Sequence, residues 1–457
     1  MGIANERLSY EAQTQKSKQH MERAKRVMPG GMTANIKHYA PYPITIQRAN
    51  GCRLYDLDGH EYIDFLMGYG ALMLGHGHPQ VKKAIENQLL QDGTWLFGTP
   101  HDKEAAFAER LQHYFPSVER VRYTNSGTEA NLLALRLAMA YTNKYKVAKF
   151  EGHYHGAIDS LLVSVSPTES EAGAHTSPLS VADSGGMNHE RLVDTIVLPF
   201  NDPVSCEQIL TEHKDELGAV IIEPIEGGII EPHHEFIKKL REVTNRLGIV
   251  LIFDEVKTAF RSSMGGAQAV YGITPDITTM GKVIGGGFPF GVVGGKAEIM
   301  ELSSPLSGFD FFADQHADRS SKALFHSGTY NGHPMILAAG LATLDVLDEQ
   351  YNSLLERTET FKQALCQLFA SYNIPAQTVG RGAMFSVLFT DVEDISNYRS
   401  LKHLNTAFRN DLDRALFSEG VYVKPGNRYS MSVVHDDEAL QQALEAYERV
   451  LPTIMDR

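Results

Sequence analysis

Two side chains capable of covalent and acid–base chemistry follow buried-strand patterns in the second half of the chain. Asp254 follows the apolar run 249–253, and Lys282 follows a second run, 277–280, and leads into three consecutive glycines. A lysine amine forms an imine with a carbonyl carbon, and a carboxylate can keep a proton on a pyridine nitrogen. The pair suits a site for pyridoxal phosphate. Taken alone, a lysine before glycines is more often a solvated residue at a strand end.

Three further sequence blocks favour the cofactor site over a solvated lysine. Ser126-Gly127-Thr128 opens a helical pattern at 127–143, and the free N–H groups and positive end of such a helix bind phosphate. The same residues would also make an ordinary helix cap. The run 151–156 supplies an aromatic side chain, Tyr154, and Glu223 stands at another polar strand end.

These blocks, with 327–334 as the last of them, stand in the order found in class III pyridoxal phosphate-dependent aminotransferases. From about residue 28 to the last helix the chain resembles this family, and within it the glutamate-1-semialdehyde 2,1-aminomutase-like branch. The resemblance implies the α/β architecture of fold type I: a large domain with a mostly parallel sheet of seven-stranded type, and a smaller αβ C-terminal domain. It also implies pyridoxal 5'-phosphate as cofactor.

By the same resemblance, Lys282 is the catalytic residue, which holds the cofactor and, once released, moves a proton on the substrate. Asp254 would contact the pyridine nitrogen, although a strand-end cap is the alternative. Tyr154 and Val256 would lie on the two faces of the ring. Glu223 would support the hydrogen-bond network on the cofactor side, or would be a simple strand-end carboxylate.

The phosphate would be bound by Ser126, Gly127 and Thr128, and by Thr329 of the neighbouring subunit, which implies a homodimer with shared active sites. His153 and His155 stand two residues apart, but no Cys or carboxylate cluster completes a metal site, so we expect no metal.

The leading function is an aminotransferase that moves an amino group from an amino acid or amine to an oxo acid or aldehyde by a ping-pong mechanism. The alternative is the intramolecular 2,1-aminomutase. The aminomutase pattern ends in arginine where this chain has Lys37, and its serine- and proline-rich gating loop is absent from 164–171. Gly227 and Gly228 stand where related aminotransferases carry a switch glutamate. A non-catalytic cofactor-binding sensor ranks last, because the first 28 residues are too short for a DNA-binding module.

Three residues are candidates for the substrate's carboxylate or body: Lys37, Tyr69 and Arg428. Lys37 follows the turn Pro29-Gly30-Gly31, and Tyr69 occupies the place where relatives present an aromatic side chain. Each could equally be a solvated surface residue. A lysine is a point charge and cannot make the bidentate contact of an arginine.

The composition limits the partners. A formal net charge of −14 in 457 residues argues against nucleic acid and acidic lipid, both of which need basic surface. No 18-residue apolar run and no signal-type N-terminus are present, so we expect no membrane association. Cys52, Cys206 and Cys366 are far apart, as expected for reduced thiols in the cytoplasm.

The periodicities predict an N-terminal segment, 1–60, of helix and hairpin that joins the small domain. A large cofactor-binding domain, 61–330, follows, and then a linker helix at 335–350 and the small domain in 331–457. Strands are predicted at 121–123, 219–222, 249–253, 382–389 and 428–433, and helices at 127–143, 234–247 and 437–450. The stretch 165–190 is predicted to be a long irregular loop of the kind that often binds or covers ligands.

Overall fold

The computed structural model describes residues 10–307 and 323–455, in which helices and strands alternate. The strands are β1 Ile46–Asn50, β2 Arg53–Asp56, β3 Glu61–Asp64, β4 Arg120–Thr124, β5 Lys146–Phe150, β6 Gly173–Ala174, β7 Ser177–Pro178, β8 Thr195–Leu198, β9 Leu217–Ile222, β10 Val250–Asp254, β11 Ile277–Gly281, β12 Gly291–Gly295, β13 Ala376–Val379, β14 Met384–Phe389, β15 Val421–Tyr422 and β16 Tyr429–Ser430. The helices are α1 Gln15–Lys25, α2 Met67–Gly70, α3 Pro79–Leu90, α4 Asp102–Tyr114, α5 Gly127–Thr142, α6 Pro203–Glu212, α7 His234–Leu247, α8 Gly266–Tyr271, α9 Ala297–Met300, α10 Pro334–Ser371, α11 Thr406–Ser418 and α12 Asp437–Met455.

A seven-stranded sheet carries the site, with its strands in the order β4, β12, β11, β10, β9, β5, β8. β12 runs antiparallel to its neighbours β11 and β4, and the other pairs are parallel. The prediction of a mostly parallel seven-stranded sheet in an α/β fold is therefore confirmed.

The central strands are apolar along their whole length because both faces of the sheet are covered. In β9, Val220 and Ile222 pack into one core together with residues of α6 and α7. Ala219 and Ile221 point the other way, into a core formed with α5. Successive strand residues alternate between faces, so a strand buried on both sides needs an unbroken apolar run.

Two smaller sheets complete the described fold. β1, β2 and β3 form an antiparallel set, and β15 lies parallel to β3, with Val421 opposite Ile63. β13, β14 and β16 form a three-stranded antiparallel sheet. β3 thus connects the hairpin β1–β2 to β15, a strand from the last fifty residues of the chain.

The linker helix is longer than its prediction of 335–350, because α10 continues to Ser371 and spans 38 residues. The buried side chains Leu354, Phe361, Leu365 and Phe369 extend its apolar stripe at helical spacing, which explains the extra turns. The predicted strand 428–433 is also wrong in extent, since only Tyr429–Ser430 pairs with β14.

The predicted irregular loop, 165–190, contains the two-residue hairpin β6–β7 and the start of the 3₁₀ segment His189–Asp194. Within residues 10–307 and 323–455, no helix combines the length and the apolar character needed to cross a bilayer.

Candidate active site

The carboxyl ends of three neighbouring strands bring the predicted chemistry together. Glu223 follows β9, Asp254 ends β10 and Lys282 follows β11, and these strands are adjacent in the sheet. Parallel strands end at the same edge, so the three side chains face one cavity of about 390 Å³. Its other lining residues are Ala71, Asn125, Ser126, Gly127, Thr128, Asn131, Tyr154, His155, Gly156, Val256, Lys257, Gly287, Phe288, Pro289 and Phe290.

Asp254 is held in a single orientation by three donors. Asn131 Nδ2 and His155 Nδ1 each lie 2.8 Å from Asp254 Oδ2, and the backbone N–H of Val256 donates to Oδ1 at 3.0 Å. Asn131 is fixed in turn, because its Oδ1 accepts from Thr279 Oγ1 at 2.6 Å. A carboxylate with only 4% of its surface exposed and this set of donors is rigid and oriented.

Lys282 lies at a strained turn. Its φ of +50° is in the left-handed region, and it begins the single-turn helix Lys282–Gly285 directly after β11. Burial is the largest cause of a lowered pKa of the Lys282 amine, which lies at about 7. The positive charges of Lys257 and Arg428 lower this pKa further, while the negative charges of Asp254 and Glu223 raise it in part. The amine is therefore substantially neutral at physiological pH, which is the form that attacks carbonyls.

The start of α5 lines the cavity at the place predicted to be a phosphate cup. Ser126 is a helix cap, since its side chain accepts from the backbone N–H of Glu129 at 3.1 Å, which confirms the cap interpretation. Two close contacts shape the cup: a Cβ on Gly127 would lie 2.8 Å from Val256 methyl carbons, and one on Gly156 would lie 2.4 Å from Thr128 Oγ1. Glycine is required at both positions to let the backbone approach.

Tyr154 and Val256 both line the cavity. Tyr154 is 44% exposed, and its backbone N–H donates to Glu223 Oε2 at 2.9 Å. The tyrosine is thus placed by a hydrogen bond from its own backbone to the neighbouring strand end.

Two buried carboxyl groups, Glu223 and Glu226, have pKa values shifted in opposite directions. Burial raises the pKa of Glu223, but Lys257, hydrogen-bonded to Glu223 Oε1, and the nearby His153 outweigh it and lower the pKa to about 2. Burial and the charge of Glu223 raise the pKa of Glu226 well above its ordinary value. Glu223 is therefore ionised at physiological pH, whereas the surroundings of Glu226 favour its neutral form.

The three substrate candidates, Arg428, Tyr69 and Lys37, lie in different surroundings. Arg428 is partly buried, and its Nε has no hydrogen-bond partner within the described ranges. Burial lowers the pKa of Arg428, and its charge acts on Lys282. Tyr69 donates to the backbone carbonyl of Ile36 at 2.9 Å, and Lys37 is exposed and donates to Thr33 Oγ1 at 2.8 Å. Arg428, Tyr69 and Lys37 are all absent from the residues that line the cavity, and of the three only Arg428 acts electrostatically on Lys282.

Thr329 is also outside the cavity of its own chain and is exposed. In the part of the chain that the structure describes, no group of three or more His, Cys, Asp and Glu side chains is arranged to hold a metal. His155, one of the two histidines considered for a metal, instead orients Asp254.

Asn131 and Lys257 are two polar cavity residues that sequence reasoning missed; it also missed the apolar Ala71, Phe288, Pro289 and Phe290. Asn131 stands four residues after Gly127 and so shares its face of α5, a spacing that was visible in the sequence. Lys257 stands three residues after Asp254 in a turn, where no periodicity predicts the direction of a side chain. Only the structure, in which the side chain of Lys257 is largely buried, shows that it points into the cavity.

Comparison with known proteins agrees with this geometry. The family model for class III aminotransferases matches residues 35–451. A glutamate-1-semialdehyde 2,1-aminomutase from Ignicoccus hospitalis is 39% identical over 442 residues, covering 94% of this chain and 97% of that protein.

Two solved structures are also similar along nearly the whole chain. An omega-transaminase from Sphaerobacter thermophilus is 35% identical, with a TM-score of 0.89 over 96% of this chain and 98% of its own. A transaminase with PLP bound is 31% identical, with a TM-score of 0.85 over 97% and 98%. From its sequence, its fold and this site, the chain belongs to the class III aminotransferase family.

Proposed function

We propose that this chain is a pyridoxal phosphate-dependent aminotransferase that takes an amino group from an amino acid and passes it to an oxo acid or aldehyde in two half-reactions. The observation that carries the proposal is the meeting of Lys282, Asp254 and the start of α5 in one cavity, with Arg428 close enough to influence Lys282.

The residues present fit the cofactor. Glycine at 127 and 156 leaves a cradle that a Cβ would fill, and the positive end of α5 favours a phosphate there. Asp254 offers an oriented, buried carboxylate that a cationic ring nitrogen would complement. When bound, pyridoxal phosphate supplies an electron sink for the carbanion left by loss of a proton.

Each residue then has a defined task. Lys282 would hold the cofactor covalently and, when free, move a proton at the substrate carbon, for which a neutral amine is required. Asp254 would hold the proton on the ring nitrogen. Tyr154 and Val256 would hold the flat ring between them. Glu223 would position Tyr154 by accepting a hydrogen bond from the Tyr154 backbone N–H.

We propose that Arg428 binds the substrate carboxylate, while Tyr69 and Lys37 contribute at most at the entrance. Glu223, the acid that acts on Arg428, is already engaged by Lys257 and by Tyr154 N–H. Gly228 brings no acidic side chain to this region, and its φ of +79° disfavours one. In the described residues Arg428 Nε has no hydrogen-bond partner. A guanidinium forms strong paired hydrogen bonds with a carboxylate, so a substrate carboxylate would complement it.

The second candidate is the 2,1-aminomutase, favoured by the similarity to the Ignicoccus hospitalis protein. The two activities are separated by supplying glutamate 1-semialdehyde alone. An aminomutase would convert it completely to 5-aminolevulinate, while an aminotransferase requires a separate amino acceptor for each donor consumed. Parallel lines in double-reciprocal plots with two substrates would identify the ping-pong reaction, and full conversion of the semialdehyde alone would overturn our choice.

We propose a homodimer in which Thr329 serves the partner's phosphate site. Thr329 and Tyr330 are exposed, and the segment 90–98 carries exposed apolar side chains, with Leu90 83% and Trp95 63% exposed. His101 Nε2 lies 2.8 Å from the carbonyl of Gly332 and ties these two segments together. Apolar side chains in such a surface are usually covered by another protein surface.

Two further proposals concern the whole chain. Residues 1–60 would join the small domain 331–457, beside the large domain 61–330, which the hydrogen bond from the Arg53 guanidinium to Gln442 Oε1 at 2.8 Å supports. The protein would work in the cytoplasm, since Cys52, Cys206 and Cys366 are all free thiols.

A further inference from the structure

A second lysine lies in the wall of the same cavity. Lys257 stands in the turn after β10, and its side chain is 13% exposed. It lines the cavity together with Lys282. The role proposed above for the site requires one lysine only, so the presence of a second buried ammonium needs an explanation.

Lys257 is fixed rather than mobile. Its Nζ donates to Glu223 Oε1 and lies 5.7 Å from the centre of the Tyr154 ring. Glu223 uses its other oxygen to accept from the backbone N–H of Tyr154 at 2.9 Å. The positive charge is therefore held at a constant place on the wall, beside the side chain proposed to cover the ring.

Four charged groups act on the Lys282 amine. Lys257 and Arg428 are positive, and Asp254 and Glu223 are negative. Beyond burial, Lys257 has the largest effect and lowers the pKa of the amine. In a partly dry cavity a neighbouring positive charge raises the free energy of a second one, so the neutral amine is favoured.

We propose that Lys257, anchored by Glu223, is a positioning residue whose positive charge keeps Lys282 in its neutral, reactive form. The inference rests on the proposed function only in taking Lys282 as the amine that attaches the cofactor. Arg428 cannot replace Lys257 in this role during turnover, because a bound carboxylate would neutralise its charge. Lys257 would then be the cation that still acts on Lys282 when substrate is bound.

The competing explanation is that Lys257 only fills space and anchors Glu223. Three variants separate charge from packing. Lys257→Met keeps most of the side-chain volume and removes the charge. Lys257→Arg keeps the charge and can still reach a carboxylate. Lys25→Met removes an exposed lysine from an ion pair with Glu22 in α1, and serves as the matched control.

The test is a pH titration of the visible absorbance of the full-length protein loaded with pyridoxal phosphate, because that band reports protonation of the nitrogen that joins Lys282 to the cofactor. We expect Lys257→Met to raise the midpoint by about one pH unit or more. Lys257→Arg and Lys25→Met should leave it unchanged. The second measurement is the pH dependence of trinitrobenzenesulfonate modification of Lys282 in the cofactor-free chain, followed by peptide mass spectrometry, which should shift in the same direction.

An unchanged midpoint and an unchanged modification profile in folded Lys257→Met would overturn the inference. So would equal shifts in the Met and Arg variants, since packing would then be the cause. If the shift occurs as expected but no amino donor reacts with the loaded protein, the proposed function fails while the electrostatic role of Lys257 stands.

Discussion

At the scale of single residues, the proposed function makes Asp254 the acid that keeps the ring nitrogen protonated, on which the use of the ring as an electron sink would depend. Asp254→Asn preserves the shape but replaces a charged acceptor by an amide that cannot hold a proton on the ring nitrogen. Losing one charged hydrogen bond of about 1.5–3 kcal/mol should lower kcat roughly 10- to 100-fold and weaken cofactor binding. Both are measured by steady-state kinetics and by cofactor titration.

Asn131→Ala is the informative companion to Asp254→Asn. It leaves the Asp254 charge in place but removes one of its donors and the partner of Thr279. We expect a smaller loss of kcat than in Asp254→Asn and a lower melting temperature. Wild-type turnover in Asp254→Asn would place the partner of the ring nitrogen elsewhere.

Substitution of Arg428 should change substrate binding, whereas substitution of Lys37 should not. Removing the guanidinium in Arg428→Met should raise KM for an amino acid far more than for the matched amine without a carboxylate, by about 1.5–3 kcal/mol in binding energy. Lys37→Met should change neither value, because Lys37 is exposed and bonded to Thr33. KM for one amino acid and for its matched amine is measured in the wild-type protein, Arg428→Met and Lys37→Met. Equal changes for acid and amine in Arg428→Met would show that the carboxylate is bound by another group.

At the scale of elements, the start of α5 must approach the turn after β10 closely. Gly127→Ala would push a Cβ to 2.8 Å from Val256 methyl carbons, so either the helix start or Val256 must move. We expect a roughly 10-fold or larger rise in the dissociation constant for pyridoxal phosphate, consistent with about 1–3 kcal/mol of overpacking. Gly185→Ala is the matched control, since a Cβ there meets nothing within 4 Å. Equal affinity for pyridoxal phosphate in both variants would contradict the proposal that the start of α5 binds the phosphate.

The elements also show what a sequence can and cannot predict. β9 and β10 were predictable, because unbroken apolar runs that end in Glu223 and Asp254 are typical of buried parallel strands. The length of α10 and the short extent of β16 were not, since both depend on packing between distant segments. The same limit applies inside the site: Lys282 was found from its flanking pattern, whereas the direction of Lys257 is set by its ion pair with Glu223.

At the scale of the whole molecule, a shared site predicts that two inactive variants restore each other. Lys282→Ala lacks the reacting amine, and Thr329→Glu places a negative charge against a phosphate. In a mixed dimer, the Thr329→Glu subunit keeps Lys282 and receives a normal Thr329 from its partner, so that site is intact. After unfolding and refolding an equal mixture, we expect about a quarter of wild-type activity.

If Thr329 acted within its own chain, each site of the mixed dimer would carry one lesion and the mixture would stay inactive. Separately refolded variants are the control, and size-exclusion chromatography with light scattering confirms that dimers have formed.

The central claim is that a donor's amino group is transferred to the bound cofactor with Lys282 moving the proton at the substrate carbon, and a single half-reaction tests it most directly. The loaded wild-type protein is mixed with a panel of amino acids and amines, while the visible absorbance band and the released oxo product are followed together. We predict that at least one amino acid removes the band with one oxo product formed per site, and that Lys282→Ala neither shows the wild-type band nor forms product at a comparable rate. Product formation by Lys282→Ala at the wild-type rate would contradict the account.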